Sequence, residues 1–157
     1  MPRVLAVNIS ETTGVPKHEI EKGYFEVQHG LVGDAHAGEW HRQVSLLGIE
    51  SINKLRAAGL QDLVNGRFAE NITTEGLVLY ELPIGTRLKI GETVLEVTQI
   101  GKACHNSGCA IKRAAGDCVM PREGIFAKVI VPGWIKPGDE ITVLEREDWN
   151  ELPVINS

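Results

Sequence analysis

Short runs in which apolar and polar positions alternate, rich in β-branched residues, recur along the chain between glycine and proline. Val4 to Ile9, Tyr24 to Val27, Val44 to Leu47, Thr86 to Ile90, Val94 to Ile100, Ile125 to Val131 and Glu140 to Leu144 all read as strands. A mainly β protein is expected. Within Arg87-Leu-Lys-Ile-Gly-Glu-Thr-Val-Leu-Glu-Val two such runs meet at Gly91-Glu92, where glycine supplies the positive φ that a tight hairpin demands. Lys136-Pro-Gly-Asp-Glu predicts a second tight turn, because proline fixes φ and glycine follows it. Turns of this kind suit a closed or nearly closed barrel.

The period changes between Gly48 and Ala58. Ile49, Ile52 and Leu55 recur every three residues, Glu50 precedes Lys54 by four, and Gly59 is a natural stop. One amphipathic helix is predicted there, with shorter helical pieces around Gln61 to Phe68 and Ala110 to Ala115. No repeat or linker divides the chain, so residues 1–145 are expected to form one domain and 146–157 a loosely attached tail that Trp149 can anchor.

The 157 residues suffice to bury roughly 70% of the area of the unfolded chain without a covalent staple. Sixteen Lys and Arg against 21 Asp and Glu give a net charge of −5, and no stretch clusters the basic residues. A nucleic-acid partner is therefore not expected. The opening MPRVLAVNIS has no long apolar core, and nowhere do about 18 apolar residues run together. These features predict a soluble cytoplasmic protein with no membrane partner, whose three cysteines are candidates for reactivity or ligation before disulfides.

Gly101-Lys-Ala-Cys-His-Asn-Ser-Gly-Cys-Ala-Ile-Lys begins where a predicted strand ends, a position that turns side chains outward. Lys102 and His105 flank Cys104, and neighbouring positive charge favours the thiolate that attacks or ligates. The bland alternative is an inert cysteine that packs as a small hydrophobe. Cys104, His105, Cys109 and Cys118 supply enough soft ligands for zinc, but two are adjacent and one is isolated, unlike the paired spacing of structural sites. A redox pair of Cys104 with Cys109 or Cys118 is a further alternative.

Three other stretches carry candidate binding groups. Gly30-Leu-Val-Gly-Asp-Ala-His-Ala-Gly can turn backbone N–H groups toward an anion, and the following Arg42 can fork onto a phosphate. His36 and His41 lie in or beside that loop as weak metal candidates, and a surface ion pair is the plain alternative for Arg42. Glu70 and Asn71 open a strand-like run, with the Asn71 amide suited equally to a heterocycle edge or to its own loop. Arg122, in Met-Pro-Arg-Glu-Gly, either completes a basic rim with Arg42 and Lys102 or solvates a turn.

Taken in order, the Gly33-Asp34 loop with His36, Arg42-Gln-Val-Ser-Leu, Glu70-Asn-Ile-Thr-Thr-Glu-Gly-Leu, Ile84-Gly-Thr-Arg-Leu-Lys-Ile-Gly and the Cys104 loop resemble a MOSC domain, named for the molybdenum cofactor sulfurase C-terminus. The resemblance spans about residues 3 to 145, and five motifs in one order make it specific. It implies a mostly antiparallel, Greek-key-like β-barrel with a few short helices. It also implies molybdenum cofactor (molybdopterin) as the cofactor, with Cys104 ligating the metal or carrying sulfur. Arg42 and Asn71 occupy the motif positions that match the family's cofactor cleft; Lys102, Arg122, Glu70 and His36 are further cofactor-binding candidates, and His105 is the candidate proton donor if N-hydroxylated compounds are reduced.

The chain is similar to short stand-alone members. Pyridoxal phosphate then belongs only to a partner sulfurase, and a cysteine desulfurase, a molybdoenzyme or an external electron donor is the expected partner. A non-catalytic carrier or sensor of sulfur or cofactor is the main alternative, and a zinc-stapled barrel the third.

Overall fold

The computed structural model describes residues 2–12, 17–57, 59, 70–101 and 123–145. Eleven strands are present among them: β1 (Arg3–Ile9), β2 (His18–Ile20), β3 (Gly23–Glu26), β4 (Gly30–Leu31), β5 (Val44–Gly48), β6 (Ile72–Glu75), β7 (Arg87–Ile90), β8 (Thr93–Ile100), β9 (Ile125–Val131), β10 (Gly133–Ile135) and β11 (Ile141–Leu144). One α-helix, α1 (Ile49–Ala57), follows β5, and a single 3-10 turn covers Leu79–Glu81. The protein is mainly β, and the predicted strands and the helix after Gly48 are where the alternation and the three-residue spacing put them. The helical pieces expected near 61–68 and 110–115, and the 146–157 tail, lie outside the described residues.

Eight strands form one sheet in the order β11-β7-β8-β9-β5-β6-β1-β2, and β10-β3-β4 form a second. Every described ladder is antiparallel except β5 with β6, which run parallel with Leu46 opposite Ile72 and Gly48 opposite Thr74. Parallel neighbours need a crossover. Here α1 begins it, with its own Ile52 fully buried. The inward positions of both sheets merge into one core. Val4 and Val7 of β1, Phe25 and Leu31 of the small sheet, Leu88, Ile90, Leu95 and Val97 of the β7–β8 hairpin, and Ile125 and Ala127 of β9 all belong to it.

The expected closed barrel is not found: among the described residues no ladder joins the first and last strands of the large sheet. What joins them is local. Arg3 and Glu140 form an isolated bridge, Val4 N–H donates to the Asp139 carbonyl at 2.8 Å, and Ile141 N–H donates to the Pro2 carbonyl at 3.0 Å.

Both predicted turns are present. Ile90 pairs with Thr93 across Gly91-Glu92, and Gly91 has φ 55°. A Cβ there would sit 2.5 Å from Asp139 Oδ2. Gly91→Ala is therefore expected to lower stability by about 1–2 kcal/mol through left-handed strain, read as a shift in the urea midpoint. At the second turn Asp139 N–H donates to the Lys136 carbonyl at 3.2 Å, and Gly138 supplies φ 95°.

Candidate functional site

The site assembles at one end of β8 and β9. Opposite Ala127 and Phe126 of β9, β8 advances from Val97 to Gln99, so Thr98 is an extra residue. Such a bulge bends the strand and re-aims the side chains that follow. Thr98 and Gln99 both turn to the segment that leads into β5: the Thr98 hydroxyl donates to the His41 carbonyl, and Gln99 Oε1 lies 3.0 Å from Arg42 Nε and 2.8 Å from His41 Nε2. Because that oxygen only accepts, His41 carries its proton on Nε2 in this contact.

Arg42 is held from three sides. Nε is fixed by Gln99, the Phe126 ring lies 5.3 Å from its guanidinium carbon, and the Trp40 ring lies 5.9 Å away. Among the described residues its two terminal nitrogens have no hydrogen bond or ion pair. A guanidinium with two parallel N–H groups to spare is a bidentate receptor for a phosphate or carboxylate. Trp40, 43% exposed, is itself pinned, since its Nε1 donates to the His36 carbonyl at 2.9 Å.

Two residues beyond Gln99 the chain leaves the sheet. Gln99 Nε2 donates to the Gly101 carbonyl at 2.7 Å, and Gly101 N–H donates to the Gly124 carbonyl at 2.6 Å. Departure and return of the segment that contains Cys104 are thus paired beside Arg42. At the return, Glu123 is fastened to α1, its Oε1 accepting from the Ser51 hydroxyl at 2.6 Å and from Lys54 Nζ at 2.9 Å. Lys102, Cys104, His105, Cys109, Cys118 and Arg122 lie outside the described residues. Among the described residues no group of three or more His, Cys, Asp or Glu is arranged to hold a metal ion.

The remaining predicted residues fall in a buried polar network beside this end of the sheet. Asn71 is fully buried, and its Oδ1 accepts from the Ser45 N–H at 3.0 Å and the Ser45 hydroxyl at 3.2 Å. Its Nδ2 donates to the Asn8 carbonyl at 3.3 Å. Glu70 is fully buried and accepts from the Thr73 hydroxyl at 2.8 Å. His36 is half-buried, with Nδ1 3.3 Å from Lys17 Nζ. An ammonium only donates, so Nδ1 is the acceptor there and the neutral ring carries its proton on Nε2.

Lys17 and Asp34, both buried, form the charged centre of the network at 2.7 Å, and the Asp34 carboxylate also accepts from the Ser10 and His36 N–H groups. Burial alone would push the Asp34 carboxyl up. The Lys17 ammonium, the Ser10 N–H and the Asn71 amide outweigh it and hold the carboxyl below its ordinary 3.8. The glycine-punctuated loop around this pair has a packing reason for at least one glycine: Gly30 has φ 108°, and a Cβ on it would stand 2.5 Å from the Gln43 carbonyl oxygen. That close approach brings the loop against the start of β5, where Arg42 is rooted.

Sequence reading missed Gln99, the Lys17–Asp34 pair and the role of Trp40. Two successive polar residues, Thr98 and Gln99, interrupting an apolar alternation were the available sign of the bulge.

The fold has solved counterparts. The YuaD protein of Bacillus subtilis aligns with a TM-score of 0.74 at 22% identity, covering 90% of this chain and 94% of that one. YiiM of Geobacillus stearothermophilus aligns with a TM-score of 0.70 at 17% identity, covering 93% and 76%. YiiM of Escherichia coli gives 0.62 at 18% identity, covering 92% and 70%. No curated protein sequence matches the chain. At such identities these likenesses speak to the fold. The MOSC domain model, in contrast, matches the sequence itself over residues 33–142, from the loop of Asp34 through Arg42, Gln99 and Cys104 to β11, and the chain belongs to the MOSC domain family.

Proposed function

We propose that this protein binds molybdenum cofactor, with Cys104 as the thiolate that ligates molybdenum or accepts sulfur, and Arg42, Lys102 and Arg122 as the cations that hold the pterin phosphate. The observation that carries this reading is the fork of Arg42, free among the described residues, beside the paired Gly101 and Gly124, between which the Cys104 segment lies in sequence. A bidentate cation fits a phosphate, and a soft thiolate fits molybdenum or sulfane sulfur. When bound, the cofactor supplies a metal centre able to take an oxygen atom from an N-hydroxylated compound. The chain's own contribution is to orient the anionic end through Arg42 and to move a proton at His105. His36, Glu70 and Asn71 support the start of β5 from behind through the network around Asp34.

The same reading makes residues 1–145 the MOSC unit, curls the eight-stranded sheet into the family's barrel with Arg3 and Glu140 at its seam, and places the protein in the reducing cytoplasm. Electrons or sulfur come from a partner, either an external donor or a cysteine desulfurase, and a molybdoenzyme is the recipient if the protein is a carrier. No helix among the described residues is long and apolar enough to cross a membrane.

Elemental analysis of protein purified without oxygen from a cofactor-producing host tests the proposal. Near-stoichiometric molybdenum in wild type, lost in Cys104→Ala, kept in Cys109→Ala and reduced in Arg42→Ala is the expected result. Zinc in place of molybdenum, lost in both cysteine variants, would overturn it. Persulfide on Cys104 without molybdenum would replace cofactor binding with sulfur carriage.

A further inference from the structure

Gln99 has three partners and a single planar amide with which to hold them. Its Oε1 accepts from Arg42 Nε at 3.0 Å and from His41 Nε2 at 2.8 Å, while its Nε2 donates to the Gly101 carbonyl at 2.7 Å. The geometry is over-determined: both lone-pair directions of the oxygen are taken, and the amide cannot flip without presenting N–H groups to two donors. The Thr98 bulge is what turns the side chain this way.

The guanidinium gains a fixed heading from this arrangement. An arginine side chain has many rotamers, and a free one loses that freedom when it grips an anion. Here Nε is tied to Gln99, and Phe126 and Trp40 lie within 5.3 and 5.9 Å of its guanidinium carbon, so much of that ordering is completed before any ligand arrives. Because the group is planar, fixing Nε also fixes the direction of the end-on pair of terminal N–H groups. Through the Gly101 carbonyl the same amide fixes where the Cys104 segment departs.

We propose that Gln99 is a positioning residue of the anion site, aiming the two terminal nitrogens of Arg42 at a phosphate while it holds the Gly101 carbonyl beside them. The inference rests on the cofactor reading for the identity of the anion, and on the hydrogen bonds of Gln99 for everything else. Gln99 acts through Arg42 and does not itself contact the phosphate.

The test uses the full-length protein with inorganic phosphate as the probe, and reads both the Arg42 Nε–H resonance and phosphate affinity by NMR titration. In wild type the Nε–H is expected to exchange slowly. In Gln99→Met and in Gln99→Ala it exchanges freely, whereas Gln99→Glu, which keeps an oxygen acceptor, retains the protection. Phosphate affinity is expected to fall about threefold to tenfold in Gln99→Met, the range set by releasing one ordered side chain. The same substitution in an Arg42→Ala background is expected to change nothing further, the non-additivity that marks two residues acting as one. An equal loss in both backgrounds, or no loss with Arg42 present, overturns the positioning role. Wild-type protein that takes up no phosphate while its Nε–H stays protected overturns the phosphate reading and the anion site with it, though the Gln99–Arg42 bond would then be established.

Discussion

Lys17→Met is expected to lower the stability of the protein by about 3–5 kcal/mol at pH 7, the usual result of removing one partner from a buried ion pair. The side chains of Lys17 and Asp34 are 1% and 0% exposed, so no water replaces the lost ammonium. Methionine fills similar volume, and the deficit therefore reports the stranded carboxylate more than a cavity. Urea unfolding followed by circular dichroism measures it.

The pH dependence fixes the sign. Asp34 is depressed below 3.8 in the folded protein and near about 3.9 when unfolded, so its contribution is complete above about pH 4 and is lost as the pH falls through the folded value. In Lys17→Met the carboxyl keeps its burial without its main cation, and its proton affinity rises. The gap between wild type and variant should then narrow from pH 7 toward pH 4. Lys17→Met combined with Asp34→Asn should recover part of the loss, since a neutral amide is far less expensive to bury than a lone charge. A gap that stayed constant across this range would mean that packing, not charge, makes the pair necessary.

That pair also illustrates what a sequence can and cannot reveal. Alternation and turn chemistry are local properties, and they located β1, β3, β5, β7, β8, β9 and β11, the helix after Gly48, and the Gly91 and Pro137-Gly138 turns. The strand-like run opened by Glu70 and Asn71 became β6. The two-residue and three-residue strands β2, β4 and β10 are too short to show a period, and their pairing is imposed by the strands beside them. The parallel contact of β5 with β6 depends on how the crossover returns, which no window of residues encodes.

At the site the same division holds. Arg42 stood out by residue type. Gln99 lies 57 residues away and became its partner only because Thr98 bulges. Nothing in the sequence marked Lys17, since a lysine is almost never fully buried unless paired and its pairing depends on the fold. Its partner, Asp34, belonged to a loop noticed for its glycines.

Asn71→Leu is expected to cost about 3–5 kcal/mol, by removing three hydrogen bonds from buried groups and setting an apolar side chain among them, at about 1–3 kcal/mol for each polar group left short of a bond. The Ser45 N–H, the Ser45 hydroxyl and the Asn8 carbonyl all lose the amide, and Asp34 loses one of the groups that hold its charge. Leucine matches the volume, so the effect isolates polarity. Backbone bonds at the same residue, Asn71 N–H to the Ser45 carbonyl at 2.9 Å and Asn8 N–H to the Asn71 carbonyl at 2.7 Å, remain and should keep β1, β5 and β6 in register.

Placing this variant beside Arg42→Ala separates scaffold from ligand contact. A buried, engaged amide should affect cofactor occupancy only as far as it affects folding, so the folded fraction of Asn71→Leu recovered by gel filtration should hold molybdenum near the wild-type ratio. Arg42→Ala should show the reverse, a urea midpoint close to wild type and molybdenum depleted several-fold. If Asn71→Leu instead folds normally and loses the metal, the amide reaches the cofactor itself, and the network around Asp34 is part of the binding surface instead of its support.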